Sequence, residues 1–404
     1  MANNNYKLLE VNSKAREAEF FALVHKLYAG DPMWICPIED SIKGVFDPKR
    51  NKLFDGGEAI RWIVVSESGE CVGRIGAFYN TEKASIESQP TGGCGFFESI
   101  NDYTVAELLF DAARNWLQSK GMEAMDGPIN FGQRDSWWGV LVEGFDYEPL
   151  FENPYNPPYY QGFFEQYGFK DYFQQYSYLW KIDDDDISPK IHARAARLAE
   201  TPGYSFRHLE KHELDAAAET FRTIYNKAWS MFSGVKPMEA AEAKAIMNSL
   251  KPIVDVEILY FAYFNDEPIG FFVMVPDLNK VLKQFKGKFG LFQKLKFLWD
   301  LKVRRTCDRI FGMIFAITPE FQGKGVESGL MATITNEYLH SAKNRYKSLE
   351  LAWMGDFNPV MNHMIVKYVC ATRHKRHITY RYLFDREKEF ERCPMLKLRR
   401  RGEA

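Results

Sequence analysis

The sequence predicts an α/β protein built as two tandem copies of one plan, each a mixed central sheet flanked by helices. Three observations predict it. The chain has 404 residues, more than the roughly 250–300 at which a single core stops growing. A strand–turn–strand segment occurs twice, as RWIVVSESGECVGRIGAFYN from Arg61 to Asn80 and as ILYFAYFNDEPIGFFVMVPD from Ile258 to Asp277, with Gly73 and Gly270 at matching places. Each half also closes alike: Asn156-Pro157 opens an aromatic stretch ending in Tyr176–Trp180, and Asn358-Pro359 opens one ending in Tyr380–Phe384.

In chain order, each half reads helix, hairpin, strand, helix, strand, helix, strand, an alternation that places helices on the faces of a mixed sheet. The hairpins turn at Ser68-Gly69-Glu70 and Asn265-Asp266-Glu267. Between Asn101 and Lys120 the apolar positions Val105, Leu108, Leu109, Ala112, Ala113, Trp116 and Leu117 recur at three- and four-residue spacing, and Gly121 follows as a helix stop. Asp215 to Trp229 repeats the pattern with Ala218, Phe221, Ile224, Tyr225 and Ala228. The acidic run Asp183–Asp186 followed by Ile187-Ser188-Pro189 reads as a solvated linker, dividing the chain into 1–185 and 186–404.

Composition excludes several functions. With 52 basic and 54 acidic residues the formal charge is −2, so no field exists to hold nucleic acid. Six cysteines are scattered without metal-ligand spacing, His208 and His212 are flanked by no third ligand, and His374 and His377 sit in the basic run Arg373 to Arg381 that suits a solvated strand end; no metal is expected. The N-terminus lacks an apolar signal core, and no stretch reaches the roughly 20 apolar residues of a membrane span. A cytoplasmic protein is the expectation.

One segment carries chemistry. After the predicted strand Ile310–Ile317 come Gln322-Gly323-Lys324-Gly325-Val326-Glu327-Ser328 and an apolar helix to Leu339. Strand, glycine loop and helix make an anion cradle, because glycines admit close approach and the helix start presents unpaired N–H groups with about half a positive charge. The segment resembles the Gln/Arg-x-x-Gly-x-Gly/Ala signature of the GNAT superfamily of acyl-CoA N-acyltransferases, on Gln322, Gly325 and Glu327, and departs from it at Glu327. That carboxylate either repels a phosphate or complements its own helix dipole.

A closer resemblance covers nearly the whole chain: GFFESIND from Gly95, GPIN from Gly127, LVEGF from Leu141, NPPYYQGFFEQYGF from Asn156, LKPIVD from Leu250 and VPDLN from Val275. These are similar to the duplicated GNAT proteins grouped with bacterial ceramide synthases and YghO-like proteins. The resemblance implies acyl transfer from acyl-CoA or acetyl-CoA, as co-substrate, to a small-molecule or lipid amine, with no metal. It further implies that Phe315, Ala316 and Ile317 pair with the pantetheine arm and that Gln322, Gly323, Lys324, Gly325, Val326, Ser328 and Asn358 complete the carrier site. The superfamily's tyrosine acid falls on Ile365 and Phe164, which cannot donate a proton, so the acid is unassigned. Candidate catalytic carboxylates are Glu98, isolated among apolar residues, Glu350 in the strand Ser348–Met354, and Asp356 just beyond it. Candidate acceptor-binding residues are Asn130, Arg134, Asp135, Asn156, Tyr159 and Tyr160, the tyrosines alternatively serving the core. The N-terminal half is expected to hold the acceptor and the C-terminal half the donor.

Finally, Lys280 to Arg305, within an insertion over 277–306, mixes nine cations with Leu, Phe and Trp residues and a single acid, Asp300. It reads either as a peripheral contact with an anionic membrane at its inner face or as a helical hairpin covering the core with its lysines solvated. The alternative to an enzyme is a duplicated GNAT-fold binding protein that has lost catalysis. Transfer from aminoacyl-tRNA, as in Fem-like relatives of the fold, requires a broader basic face.

Overall fold

The computed structural model describes residues 5–86, 89–134, 136–229 and 237–396. Among these residues thirteen strands form one continuous sheet. They are β1 (Tyr6–Glu10), β2 (Gly57–Ser66), β3 (Cys71–Asn80), β4 (Thr91–Ser99), β5 (Ala124–Gly127), β6 (Val140–Glu143), β7 (Lys170–Lys181), β8 (Tyr204–His208), β9 (Leu259–Phe264), β10 (Glu267–Pro276), β11 (Arg309–Ile317), β12 (Ser348–Gly355) and β13 (Thr372–Leu383). Both predicted hairpins pair as expected, β2 with β3 and β9 with β10. The amphipathic segments become the helices Tyr103–Ser119 and Ala217–Trp229.

The strand order is β1-β2-β3-β4-β5-β13-β7-β12-β11-β10-β9-β8, with β6 beside β13. The halves have exchanged their last strands. β13, from the C-terminal half, pairs with β5, and β7, from the N-terminal half, pairs with β12. The cores follow the exchange: Ile378, Tyr380 and Tyr382 of β13 pack with Val105, Leu109 and Phe110 of the N-terminal half, while Tyr178, Trp180 and Ile182 join Leu330, Ile334 and Leu349 of the C-terminal half. Alternation gives β7 and β13 each a buried aromatic or aliphatic row, and in the exchanged order that row packs into the other half's core.

Pairing directions then fix the geometry. β4 and β5 are parallel, β13, β7 and β12 succeed one another antiparallel, and β11 is parallel to β12. The two halves are therefore related by an approximate two-fold axis through the β7–β13 pair, and β4 and β11 end at opposite edges of the sheet. In each half the central parallel strands part: β4 and β5 pair only through Thr91–Gly93 with Ala124–Asp126, and β11 and β12 only through Arg309–Gly312 with Ser348–Leu351. Glycine is required where β4 leaves β5, because a side chain at Gly95 would collide with the Ile129 carbonyl.

At the centre lies a buried charge network. Glu350 on β12 meets Lys375 Nζ at 2.8 Å, His374 Nε2 at 3.4 Å and Arg309 at 3.7 Å, and Arg309 also binds Asp277 at 2.6 Å. Burial by itself would raise the Glu350 carboxyl, but Lys375, His374 and Arg309 hold it well below the usual carboxylate range. Among the described residues no helix is long and apolar enough to cross a membrane.

Candidate active site

The gap between β4 and β5 opens a cleft of about 710 Å³, its mouth included, lined by Trp34, Arg74, Phe96, Glu98, Trp137 and Asn156 among others. Local sequence places the acid there. Alternation sends Phe97 into the core against Phe110 and Phe164 and Glu98 to the other face. The β3–β4 register slips between Arg74 and Gly76, and Phe96 accommodates the slip at φ 51°, a left-handed conformation that costs roughly 1–2 kcal/mol in a residue with a side chain.

Glu98, its side chain 12% exposed, is held by three groups. Tyr28 Oη donates to Oε2 at 2.7 Å, Tyr160 Oη donates to the same oxygen at 2.8 Å, and Arg74 approaches Oε1 at 3.5 Å. Burial raises the Glu98 carboxyl above its ordinary value, against the opposing pull of Arg74 and the two hydroxyls. Both tyrosines are pushed well up by burial and by the Glu98 charge, so they remain protonated. Tyr160 also accepts the Ser99 N–H at 2.8 Å, and its own hydrogen has Glu98 Oε2 at 2.8 Å as a nearer acceptor than the Ser99 carbonyl at 3.4 Å. A carboxylate with a raised pKa, paired with two protonated hydroxyls in a cleft, can take a proton from one atom and return one to another.

The remaining acceptor candidates divide. Tyr159 donates to the Ser99 carbonyl at 2.8 Å beside this centre. Asn156 lines the cleft, but its amide is used twice by Leu141, accepting from the N–H at 2.7 Å and donating to the carbonyl at 3.1 Å. Asn130 is buried, and its Oδ1 has no hydrogen-bond partner among the described residues. Arg134 stacks on Trp138 and Phe173, outside the lining of the cleft. Asp135 lies outside the described residues. Sequence reasoning missed Tyr28, which reaches Glu98 from the end of a helix 70 residues away in sequence, and Arg74, whose signal was a lone cation between Gly73 and Ile75 in an apolar strand.

The C-terminal half builds the anion cradle. Gly323 and Gly325 take φ of 72° and 91°, and Gly325 precedes the helix Val326–Ile334 with no side-chain cap. The N–H groups of Val326, Glu327 and Ser328 find no acceptor among the described residues. Glu327 forms no ion pair there either, so it does not close the loop. Gln322 braces it, donating to the Ile317 carbonyl at 3.0 Å, and Lys324 lies over the Phe321 ring. Phe315, Ala316 and Ile317 pair with β10 and present their other edge to the β11–β12 gap. Asp356 stands at the same end, accepting from the Gln174 N–H at 3.1 Å and from Arg392 at 2.7 Å. Asn358 caps the helix Pro359–Met364 by accepting the Met361 N–H.

The corresponding helix in the N-terminal half, Tyr103–Ser119, has no such opening. Asp102 caps it, accepting the Thr104 N–H and the Tyr6 hydroxyl, each at 2.8 Å, and a carboxylate there repels an anion. The expected single site is thus two. Glu98, Tyr159, Tyr160 and Asn156 gather at one end of the sheet, the loop Gln322–Ser328 with Asp356 gathers at the other, and Glu350 is confined to the buried network between them. The expectation of an acceptor on the N-terminal half, with Glu98 as a candidate base, and a donor on the C-terminal loop does not bring the two together, because the strand directions set the ends of β4 and β11 at opposite edges of the sheet. Among the described residues no group of three or more His, Cys, Asp or Glu side chains is placed to hold a metal ion.

The architecture is the duplicated GNAT fold. Solved structures aligning with it include a tandem GNAT protein from the clavulanic acid biosynthesis pathway, at TM-score 0.51 and 12% identity over 94% of this chain and 98% of that one. A GCN5-related N-acetyltransferase from Sphaerobacter thermophilus aligns at TM-score 0.50 and 10% identity, covering 94% and 96%. A fungal multi-domain β-N-acetylglucosaminidase with a GCN5-related glucosamine N-acetyltransferase region aligns at 0.54 and 12% over 93% of this chain, which spans 38% of that protein. In sequence, the chain resembles the group of bacterial ceramide synthase and YghO. It is 28% identical to bacterial ceramide synthase of Caulobacter vibrioides over 94% of this chain and 97% of the relative, and 27% identical to protein YghO of Escherichia coli over 89% and 91%. No family model matches the chain.

Proposed function

We propose that the chain is an N-acyltransferase that moves an acyl group from an acyl thioester to a hydrophobic amine, with its transfer centre at Glu98. The observation that carries this reading is the largely buried carboxylate, raised above its ordinary value and bound by two protonated tyrosines in a cleft where β4 and β5 part. In the reaction, the amine nitrogen forms a bond to the thioester carbonyl carbon and the carbon–sulfur bond breaks. Glu98 accepts the proton that the amine gives up, and Tyr160 or Tyr28 supplies one to the departing sulfur, recovering it from Glu98. The GNAT fold supports the reaction class, and the name of the Caulobacter relative supports a lipid acceptor.

Glu98→Gln tests it. The amide still accepts from both tyrosines, so the fold persists, while loss of a positioned base lowers turnover of an acyl-CoA with a long-chain amine by about 10²–10⁴-fold. Full activity in that variant refutes the assignment. A second reading rests on the unpaired amides at Val326–Ser328: the donor diphosphate sits there, the arm enters the β11–β12 gap, and Asp356 accepts the proton. Gly325→Val separates the two. It strains a position at φ 91° where an added Cβ meets nothing within 4 Å, abolishes CoA binding under the second reading, and leaves the first intact. A chain that binds no thioester and turns over no amine is a binding protein on this fold.

A further inference from the structure

The insertion after β10 carries a helix with two apolar faces. Leu291–Leu298 runs into a wider turn, Trp299–Val303, without a break. Phe297 and Leu301 point inward and join the C-terminal core. Asp300 also points inward and is clamped by Lys296 at 2.6 Å, Gln284 at 2.9 Å and Arg304 at 3.1 Å. The opposite face is apolar and bare: Leu291, Phe292, Leu295, Trp299 and Val303 are 72, 82, 58, 56 and 58% exposed. Lysines solvated over a buried apolar side, one of the two sequence readings, account for Phe297 and Leu301 but leave these five unexplained. A contiguous bare patch of this size on a folded surface marks a contact.

Charge identifies the partner. Lys280 and Lys283 are taken up by Glu148, and Lys296 and Arg304 by Asp300. Lys286 and Lys288 just before the helix, Lys294 within it and Arg305 just after it have no carboxylate partner among the described residues. Aromatic and leucine side chains accompanied by free cations match a bilayer interface, where rings enter the acyl boundary and cations meet anionic headgroups.

Position gives the contact a purpose. β10 ends, and β11 begins, at the edge of the sheet where β4 ends, so the insertion lies at the same end as Glu98. Its first turn supplies Asn279 and Leu282 to a small cleft whose other walls include Ile35, Pro37, Trp137 and Asn153, four residues that also line the Glu98 cleft. The insertion is fixed to the N-terminal half here, the Glu39 N–H donating to the Gly287 carbonyl at 3.1 Å.

We infer that the bare face of this helix docks the protein on an anionic bilayer and that a hydrophobic acceptor enters the Glu98 cleft from that side. The docking stands independently; the delivery rests on the acyltransferase reading.

Flotation of the full chain tests docking, with vesicles of phosphatidylcholine alone or mixed with phosphatidylglycerol. The expected result is retention on the anionic vesicles at low salt, weakened at high salt. Phe292→Ser/Trp299→Ser lowers partitioning at least tenfold, and each cation reversed in Lys288→Glu/Lys294→Glu lowers it about fivefold. All four side chains are exposed, so unchanged thermal melts accompany the losses. No retention on any vesicle, equal retention of parent and variants, or a dimer in solution that the same variants dissociate without flotation, overturns the proposal, the last assigning the face to a second copy of the chain. The delivery arm compares a soluble short-chain amine with a vesicle-borne long-chain amine. The variants keep turnover of the first and lose at least tenfold on the second; equal losses on both overturn delivery. Absence of turnover with every amine, with flotation intact, refutes the acyltransferase reading and leaves docking standing.

Discussion

Lys375→Met probes how the exchanged strands are fastened. Lys375 on β13 reaches across β7 to Glu350 on β12 at 2.8 Å, and also donates to the Glu148 carbonyl at 2.8 Å. Removing it leaves a buried carboxylate facing only His374 at 3.4 Å and Arg309 at 3.7 Å. Breaking a buried pair costs about 3–5 kcal/mol, and because Arg309 remains, the loss should fall near 3 kcal/mol. Unfolding entropy of about 2.1 cal/mol/K per residue over the whole chain gives roughly 0.8 kcal/mol/K, hence a melting shift of about 3–4 °C. The sign with pH follows from Glu350. Its folded pKa is depressed, so in the parent its contribution is present above the unfolded pKa and is lost as pH falls through the folded value. In the variant the carboxyl loses its main partner and titrates higher, so protonation relieves the bare charge and the gap from the parent narrows in mildly acidic buffer. Lys375→Met/Glu350→Met recovers much of the loss. Urea unfolding followed by circular dichroism, at neutral and mildly acidic pH, reads all of this. A neutral substitution, or a gap independent of pH, refutes the reasoning.

The strand exchange predicts one cooperative unfolding transition for both halves. Fragments 1–185 and 186–404 should fail to fold separately and should reconstitute when co-expressed; two independent melts contradict it. On the Glu98 reading, the acidic limb of the rate profile lies above that of an ordinary glutamate, since burial raises the carboxyl and only the ionised form accepts a proton. Arg74→Met, by removing the cation that opposes burial, moves that limb further toward neutral pH; a limb that does not move excludes Glu98 as the group observed.

Much of the fold was legible because it is written in local periodicity. The hairpins at Ser68–Glu70 and Asn265–Glu267, the helix after Asp102 and the glycine turn before Val326 each announce themselves within about twenty residues. The exchange of β7 and β13 was not legible. Both strands have the alternation that any sheet edge would satisfy, and pairing partners two hundred residues apart leave no trace in spacing. The same limit explains the site. Glu98 stood out as an acid in an apolar run, but Tyr28 and Tyr160 become its donors only through packing. Glu350 looked equally available until Lys375, His374 and Arg309 arrived from other strands. Strand direction, invisible in one dimension, decided that Gly325 and Glu98 belong to different places.

That antiparallel centre gives the molecule two unlike poles. One carries the greasy helix and the mouth beside Glu98; the other carries the unpaired amides of Val326–Ser328. A particle resting on its oily pole therefore leaves the opposite one free for soluble, charged visitors, and affinity tags or immobilising linkages are best kept off the oily side.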